Sequence, residues 1–212
     1  METPIFLRTM LSAASLALPF MAFAESNVQT GAATAAPGAK AHVDFSIKIP
    51  KILYLRVGRG SSYTTGVLRS NPAVDLITFS PTTAQVGNGT AIAGIGGNLA
   101  GGVETAAIVS NSGNVTLNAT ATGALGDGAG DTIPFSQITT TATTLTSATA
   151  LAAPVLTNAT SANVVLTAPA TKVIVQDAKW AFKYANAAIV PSGTYGGIRV
   201  NNSRVVYTAT MP

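Results

Sequence analysis

Ala178-Lys179-Trp180-Ala181-Phe182-Lys183-Tyr184-Ala185 decides the fold of this chain. Its three aromatics recur every second residue, so in an extended backbone all three point to one side of a sheet. Large rings are most often buried, and this spacing predicts a central strand over the core. An exposed stacking platform for sugar would use the same spacing; burial is the favoured reading. Working outward, Lys172 to Gln176 forms a short β-type run before it. After it, Thr194 to Val200 and Arg204 to Thr210 flank Asn201-Asn202 and predict a hairpin, because Asn tolerates the positive φ of a tight turn.

Further upstream, Val103 to Ser110 and Val115 to Thr122 enclose Asn111-Ser112-Gly113-Asn114, four turn formers, and read as the clearest hairpin in the chain. Ile133 to Thr140, Val155 to Thr157 and Val164 to Thr167 are further short runs, and Ala73 to Phe79 is another apolar stretch. Gly87 to Gly102 reads as a long glycine-rich loop. His42 to Ile49 alternates Val43, Phe45, Ile47 and Ile49 with polar residues. Pro50 then interrupts, and Lys51 to Val57 resumes the pattern. Residues 25 to 49, with this alternating stretch, could be donated to a neighbour's sheet or supply the first strand of their own domain; the second is slightly favoured. No segment beyond the leader carries a convincing helical stripe. The expected class is all-β, an antiparallel sandwich.

The first 24 residues have the form of a signal peptide. Arg8 precedes an apolar core from Leu11 to Phe23, too short for a settled bilayer span, and Ala22-Phe23-Ala24 is a small-x-small cleavage site. The expected organisation is a signal peptide at 1–24, a flexible N-terminal segment at 25–41 and one sandwich domain at 42–212. Export to the periplasm, cell surface or exterior follows, with no transmembrane segment left after cleavage. The chain has no cysteine, so packing and backbone pairing must hold the domain together, and thiol chemistry is excluded.

Charged residues make up only 9 % of the chain, with a net charge of +4. Lys48, Lys51, Arg56, Arg59 and Arg69 cluster and are candidates for contact with an anionic surface, although a solvated strand face explains them as well. Interleaved aromatics for base stacking are few, so nucleic acid is not an expected partner. Enzymatic roles are hard to fill. His42 is the single histidine, no Gly-x-Ser-x-Gly elbow occurs, and no carboxylate pair lies in a recognisable aromatic cleft. No cofactor is expected: the glycine run lacks the Lys-Ser/Thr of a P-loop. Asp127 and Asp131, in a Gly/Asp string, are a weak calcium candidate, since such strings are usually turns.

Trp180 to Asn186, then Pro191-Ser192-Gly193-Thr194-Tyr195-Gly196-Gly197, then Val205 to Thr210, resemble the closing strands of secreted bacterial immunoglobulin-like sandwiches, among them fimbrial subunits and WxL-like surface proteins. The likeness covers roughly the last 35 residues. It implies an immunoglobulin-like fold with Trp180, Phe182, Tyr184 and Tyr195 in the structural core, the Tyr195 hydroxyl reaching backbone at a corner. It also implies a non-enzymatic structural or adhesive role in the envelope, fimbria-like in its concrete form. Partners would be other envelope or fimbrial proteins or copies of the chain itself. The rival expectation is a soluble binding module for glycan or another anionic envelope ligand.

Overall fold

The computed structural model describes residues 26–28, 30–31, 38–60, 62–63 and 71–212. The expected signal peptide and Arg69 lie outside them. The chain divides into two units, Met1–Ile49 and Pro50–Pro212. In the first, residues 38–49 are exposed and carry no strand, so the expected first strand at His42 to Ile49 does not form.

The second unit is all-β and antiparallel. Its strands are β1 (Leu53–Val57), β2 (Ile77–Thr78), β3 (Ile92–Ala93), β4 (Ile95–Gly96), β5 (Val103–Ser110), β6 (Val115–Thr120), β7 (Leu125–Gly126), β8 (Thr132–Ile133), β9 (Ile138–Thr143), β10 (Val164–Leu166), β11 (Ile174–Tyr184) and β12 (Val206–Thr210). A 3-10 turn at Phe135–Gln137 precedes β9. β11 is the centre of a five-stranded sheet. β5 pairs Ile174 to Ala181, β9 pairs Lys179 to Tyr184 along the opposite edge, and β3 extends the β5 side at Lys183 and Tyr184. β1 lies beyond β5. The aromatic strand is thus central, and it joins two runs that the sequence presents separately.

A three-stranded sheet, β10-β6-β12, supplies the other half of the core. Register and burial agree on which rows face inward. Leu53, Leu55 and Val57 of β1 align with Ser110, Ile108 and Ala106 of β5, and these with Ile174, Gln176 and Ala178 of β11. From the second sheet, Val115, Leu117 and Ala119 are buried and align with Leu166, Val164, Ala209 and Tyr207. Trp180 is fully buried, and its ring lies 5.3 Å from that of Tyr207, joining the two sheets. Its indole N–H donates to Leu151 O at 2.7 Å, satisfying the one polar group a buried tryptophan carries. Packed antiparallel layers of this kind are consistent with a β-sandwich.

Two expected hairpins are absent. β5 and β6 do not pair with one another; β5 is flanked by β1 and β11, β6 by β10 and β12. Asn111–Asn114 therefore carries the chain from one sheet to the other. Its polar groups serve neighbouring segments: Asn111 accepts from Ile52 N and donates to Pro50 O, both at 2.8 Å, and Gly113 N donates to Lys172 O at 3.0 Å. Downstream, residues 194–200 carry no strand, and β12 pairs with β6. Asn201 and Asn202 do adopt the expected positive φ, at 51° and 59°. Val155 to Thr157 is not a strand either, although Leu156 is buried.

The glycine-rich run is more ordered than a plain loop, since it contains β3 and β4. Gly94 and Gly102 cross so closely that a Cβ on Gly102 would lie 2.4 Å from the Gly94 Cα. Only residues without side chains can make that crossing.

Candidate functional site

Within the second unit, the basic residues Lys51, Arg56 and Arg59 are each engaged by groups of their own chain. Lys51 Nζ donates to the main-chain oxygen of Pro212 at 2.8 Å, and Arg56 Nε to Gly58 O at 2.9 Å. Arg59 Nε lies 2.9 Å from Asp75 Oδ1 in an ion pair. Three of the five candidate cations are thereby held by their own chain. Lys48 belongs to the first unit and Arg69 lies outside the described residues.

Among the described residues, no group of three His, Cys, Asp or Glu could hold a metal ion. The Asp127 carboxylate is occupied by its own turn: Oδ1 accepts the N–H groups of Ala129, Gly130 and Asp131 at 2.8–3.0 Å. Those bonds, led by the one from Ala129, hold its carboxyl below the usual range against desolvation. Asp131 is exposed.

Of the four residues expected in the core, Trp180, Phe182 and Tyr184 are buried. Tyr195 is half-buried and packs on a small second cluster of Ile92, Ile133 and Tyr184, and its hydroxyl donates to Pro191 O at 2.8 Å.

Two features carry more weight than any of these residues did in the sequence. The first is Glu104. It sits in phase with Ala106 and Ile108 on the inward face of β5, opposite Trp180, and is almost fully buried. Burial pushes its carboxyl up to about 7; the adjacent Asp75 raises it further, while the Asn98 N–H and Arg59 oppose the shift. Counting by twos along β5 would have placed this acid in the core. The second is Asn186, also buried, at φ 51°. It accepts from Gly87 N at 2.9 Å and donates to Gln85 O at 2.5 Å, and its carbonyl accepts from Gly89 N at 2.9 Å. The side chain and main-chain carbonyl of Asn186 together fix the loop at Gln85 to Gly89 against the end of β11. Nothing in its local sequence marks it out, because the contact is made across the fold.

An interaction surface is the remaining candidate. Val43, Phe45, Ile47 and Ile49 are 74 %, 89 %, 85 % and 75 % exposed, far from the burial such residues usually reach. Among the described residues, no strand pairs with the second edge of β12. Tyr207 and Ala209 on that strand, and Met211 just beyond it, are only partly covered and pack against the core. An unpaired edge offers a row of N–H and C=O groups to any extended chain that can bury its apolar side there.

No family model, no curated protein and no solved structure matches this chain. Among the described residues, no helix is long and apolar enough to cross a membrane.

Proposed function

We propose that this chain is an exported, non-enzymatic structural subunit of the bacterial envelope, fimbria-like, built on an immunoglobulin-like sandwich. It assembles by donating residues 42–49 to the free edge of β12 in a second copy. The observation that carries this reading is the exposure of all four alternating apolar residues of that segment, in a chain whose β12, among the described residues, pairs with a strand on one edge only and carries a partly covered core row.

The chemistry of the two halves fits. Val43, Phe45, Ile47 and Ile49 share one side of an extended chain, the repeat needed to continue the inward row of Tyr207, Ala209 and Met211. Asp44, Ser46 and Lys48 would then face solvent. Burying each large apolar side chain contributes roughly 1.5–3 kcal/mol, before the cost of ordering the segment. The main-chain bonds of the added strand satisfy an edge that is otherwise a liability for uncontrolled aggregation. The three in-chain partners of Lys51, Arg56 and Arg59 leave less support for a binding module using the basic cluster.

Light scattering and cross-linking of the purified chain, alongside a variant lacking residues 38–49, test this. Concentration-dependent oligomers that resist mild heating are the expected result, lost in the deletion variant, which should bind an added peptide of residues 40–50 as a capped monomer. An intact chain that stays monomeric at every concentration, with no response to the peptide, would refute it.

A further inference from the structure

Among the described residues, Glu104 is the only charged side chain in the buried set. Its Oε2 accepts the Asn98 N–H at 3.0 Å, while its Oε1 is buried with no hydrogen-bond partner among the described residues. A second carboxyl converges on the same spot. A Cβ built on Gly58 would lie 2.7 Å from Asp75 Oδ2 and 3.2 Å from Glu104 Oε2, so both acids crowd the bare face of that glycine. Asp75 already has its counter-charge, since Arg59 reaches Oδ1 with Nε and Oδ2 with its main-chain N–H at 2.8 Å. One guanidinium thus faces two carboxyls, and an unpaired buried carboxylate is costly.

Among the described residues, the elements packed around Glu104 offer no further cation. Across the ladder, β11 presents Trp180, whose N–H is committed to Leu151. The facing sheet presents Tyr207, whose ionisation is driven up by burial and by Glu104 itself. Among the described residues, the charged and titratable groups around Glu104 are therefore Asp75, Arg59 and Tyr207, with a proton as the natural neutralising partner.

We infer that Glu104 and Asp75 form a proton-operated clasp at this end of the sandwich. While the pair holds a proton, three segments are drawn onto β5: the turn at Gly58 and Arg59, the stretch bearing Asp75, and the loop bearing Asn98. Asn98 is tied in three times, through Glu104 and through two bonds with Thr105 at 2.7 and 2.9 Å, and Gly58 N donates to Thr105 O at 2.8 Å. Loss of the proton sets two carboxylates against each other and loosens these segments from β5. The step transfers one proton to solvent and needs no other reactant. It stands independently of the assembly reading, because every group lies within Pro50–Pro212.

The chain has glutamates only at positions 2, 25 and 104, so carbon-13 carboxyl labelling gives three signals to assign. In the full-length chain the Glu104 signal should titrate near 7, well apart from the other two. Amide exchange at Asn98 and Arg59, corrected for the intrinsic base dependence, should quicken at least about tenfold between pH 5.5 and 8.5, following the usual linkage of opening to ionisation. E104Q should show the same exchange at both pH values. A Glu104 carboxyl titrating with the other two would overturn the clasp, and so would a pH response unchanged in E104Q. Should E104Q fail to fold, the titration of the unsubstituted chain decides alone.

Discussion

Consider Trp180→Ala. The side chain is fully buried, its ring rests 5.3 Å from Tyr207 of the opposite sheet, and its N–H holds Leu151 O at 2.7 Å. Truncation removes all three contributions. Large-to-small changes of this kind cost about 3–5 kcal/mol through lost transfer energy and the cavity left behind. The orphaned Leu151 carbonyl adds about 1–3 kcal/mol if water cannot reach it. Since a domain of this kind has roughly 5–15 kcal/mol in total, the variant should sit close to unfolding. Trp180→Phe separates the parts: it keeps an aromatic body against Tyr207 but loses the hydrogen bond and some volume, at about 2 kcal/mol. Urea titrations followed by far-ultraviolet circular dichroism measure both, because the chain has a single tryptophan and its fluorescence disappears with the substitution. Equal stability of parent and Trp180→Ala would refute the core assignment and return Trp180 to the role of an exposed platform.

Other outcomes follow from the same structure. Glu104 is held near 7 when folded against 4.5 when unfolded, so its contribution is fully present below about pH 4.5 and is lost as pH rises through 7. At about 1.4 kcal/mol per unit this amounts to about 3 kcal/mol, and E104Q should recover much of it at pH 8 in a urea titration, flattening the pH profile. Asn186→Ala should cost about 2–4 kcal/mol, since it strands the Gly87 N–H and the Gln85 carbonyl and places alanine at positive φ; thermal melting checks this. Gly58→Ala should destabilise the turn by about 1–3 kcal/mol, because φ is 86° and the new methyl meets the Asp75 carboxylate; the melting midpoint reads it. Phe45→Asp should leave the melting of the Pro50–Pro212 unit within about 0.5 kcal/mol of the parent, as an exposed substitution, while abolishing oligomers in light scattering.

What could be read from residues alone was phase. Alternation along Ala178 to Ala185 placed the inward face correctly, because side-chain direction in a strand depends only on parity. Partner choice was not legible. Asn111–Asn114 has the composition of a hairpin turn, yet both edges of β5 are taken by β1 and β11, whose claim rests on contacts from distant parts of the chain. Asn201-Asn202 likewise adopted the expected turn conformation without a strand on each side. The same limit explains the candidate site. The alternation of Val43 to Ile49 was visible, but whether it found a place among its own strands was not. Asp75 and Glu104 could be listed as acids; that they meet over Gly58 depends on how β1 and the segment before β2 are laid against β5.

The passage of the chain from β5 in one layer to β6 in the other has a consequence for how the molecule comes into being. β5 waits for β11 and β6 waits for β12, so neither layer can be closed by residues near it in the chain. Topologies dominated by such distant pairings are slow to form and expose sticky intermediates on the way. Until Ile174 to Thr210 has emerged, the nascent polypeptide presents two half-built layers. Those half-built layers are the surfaces an escort would have to shield during synthesis.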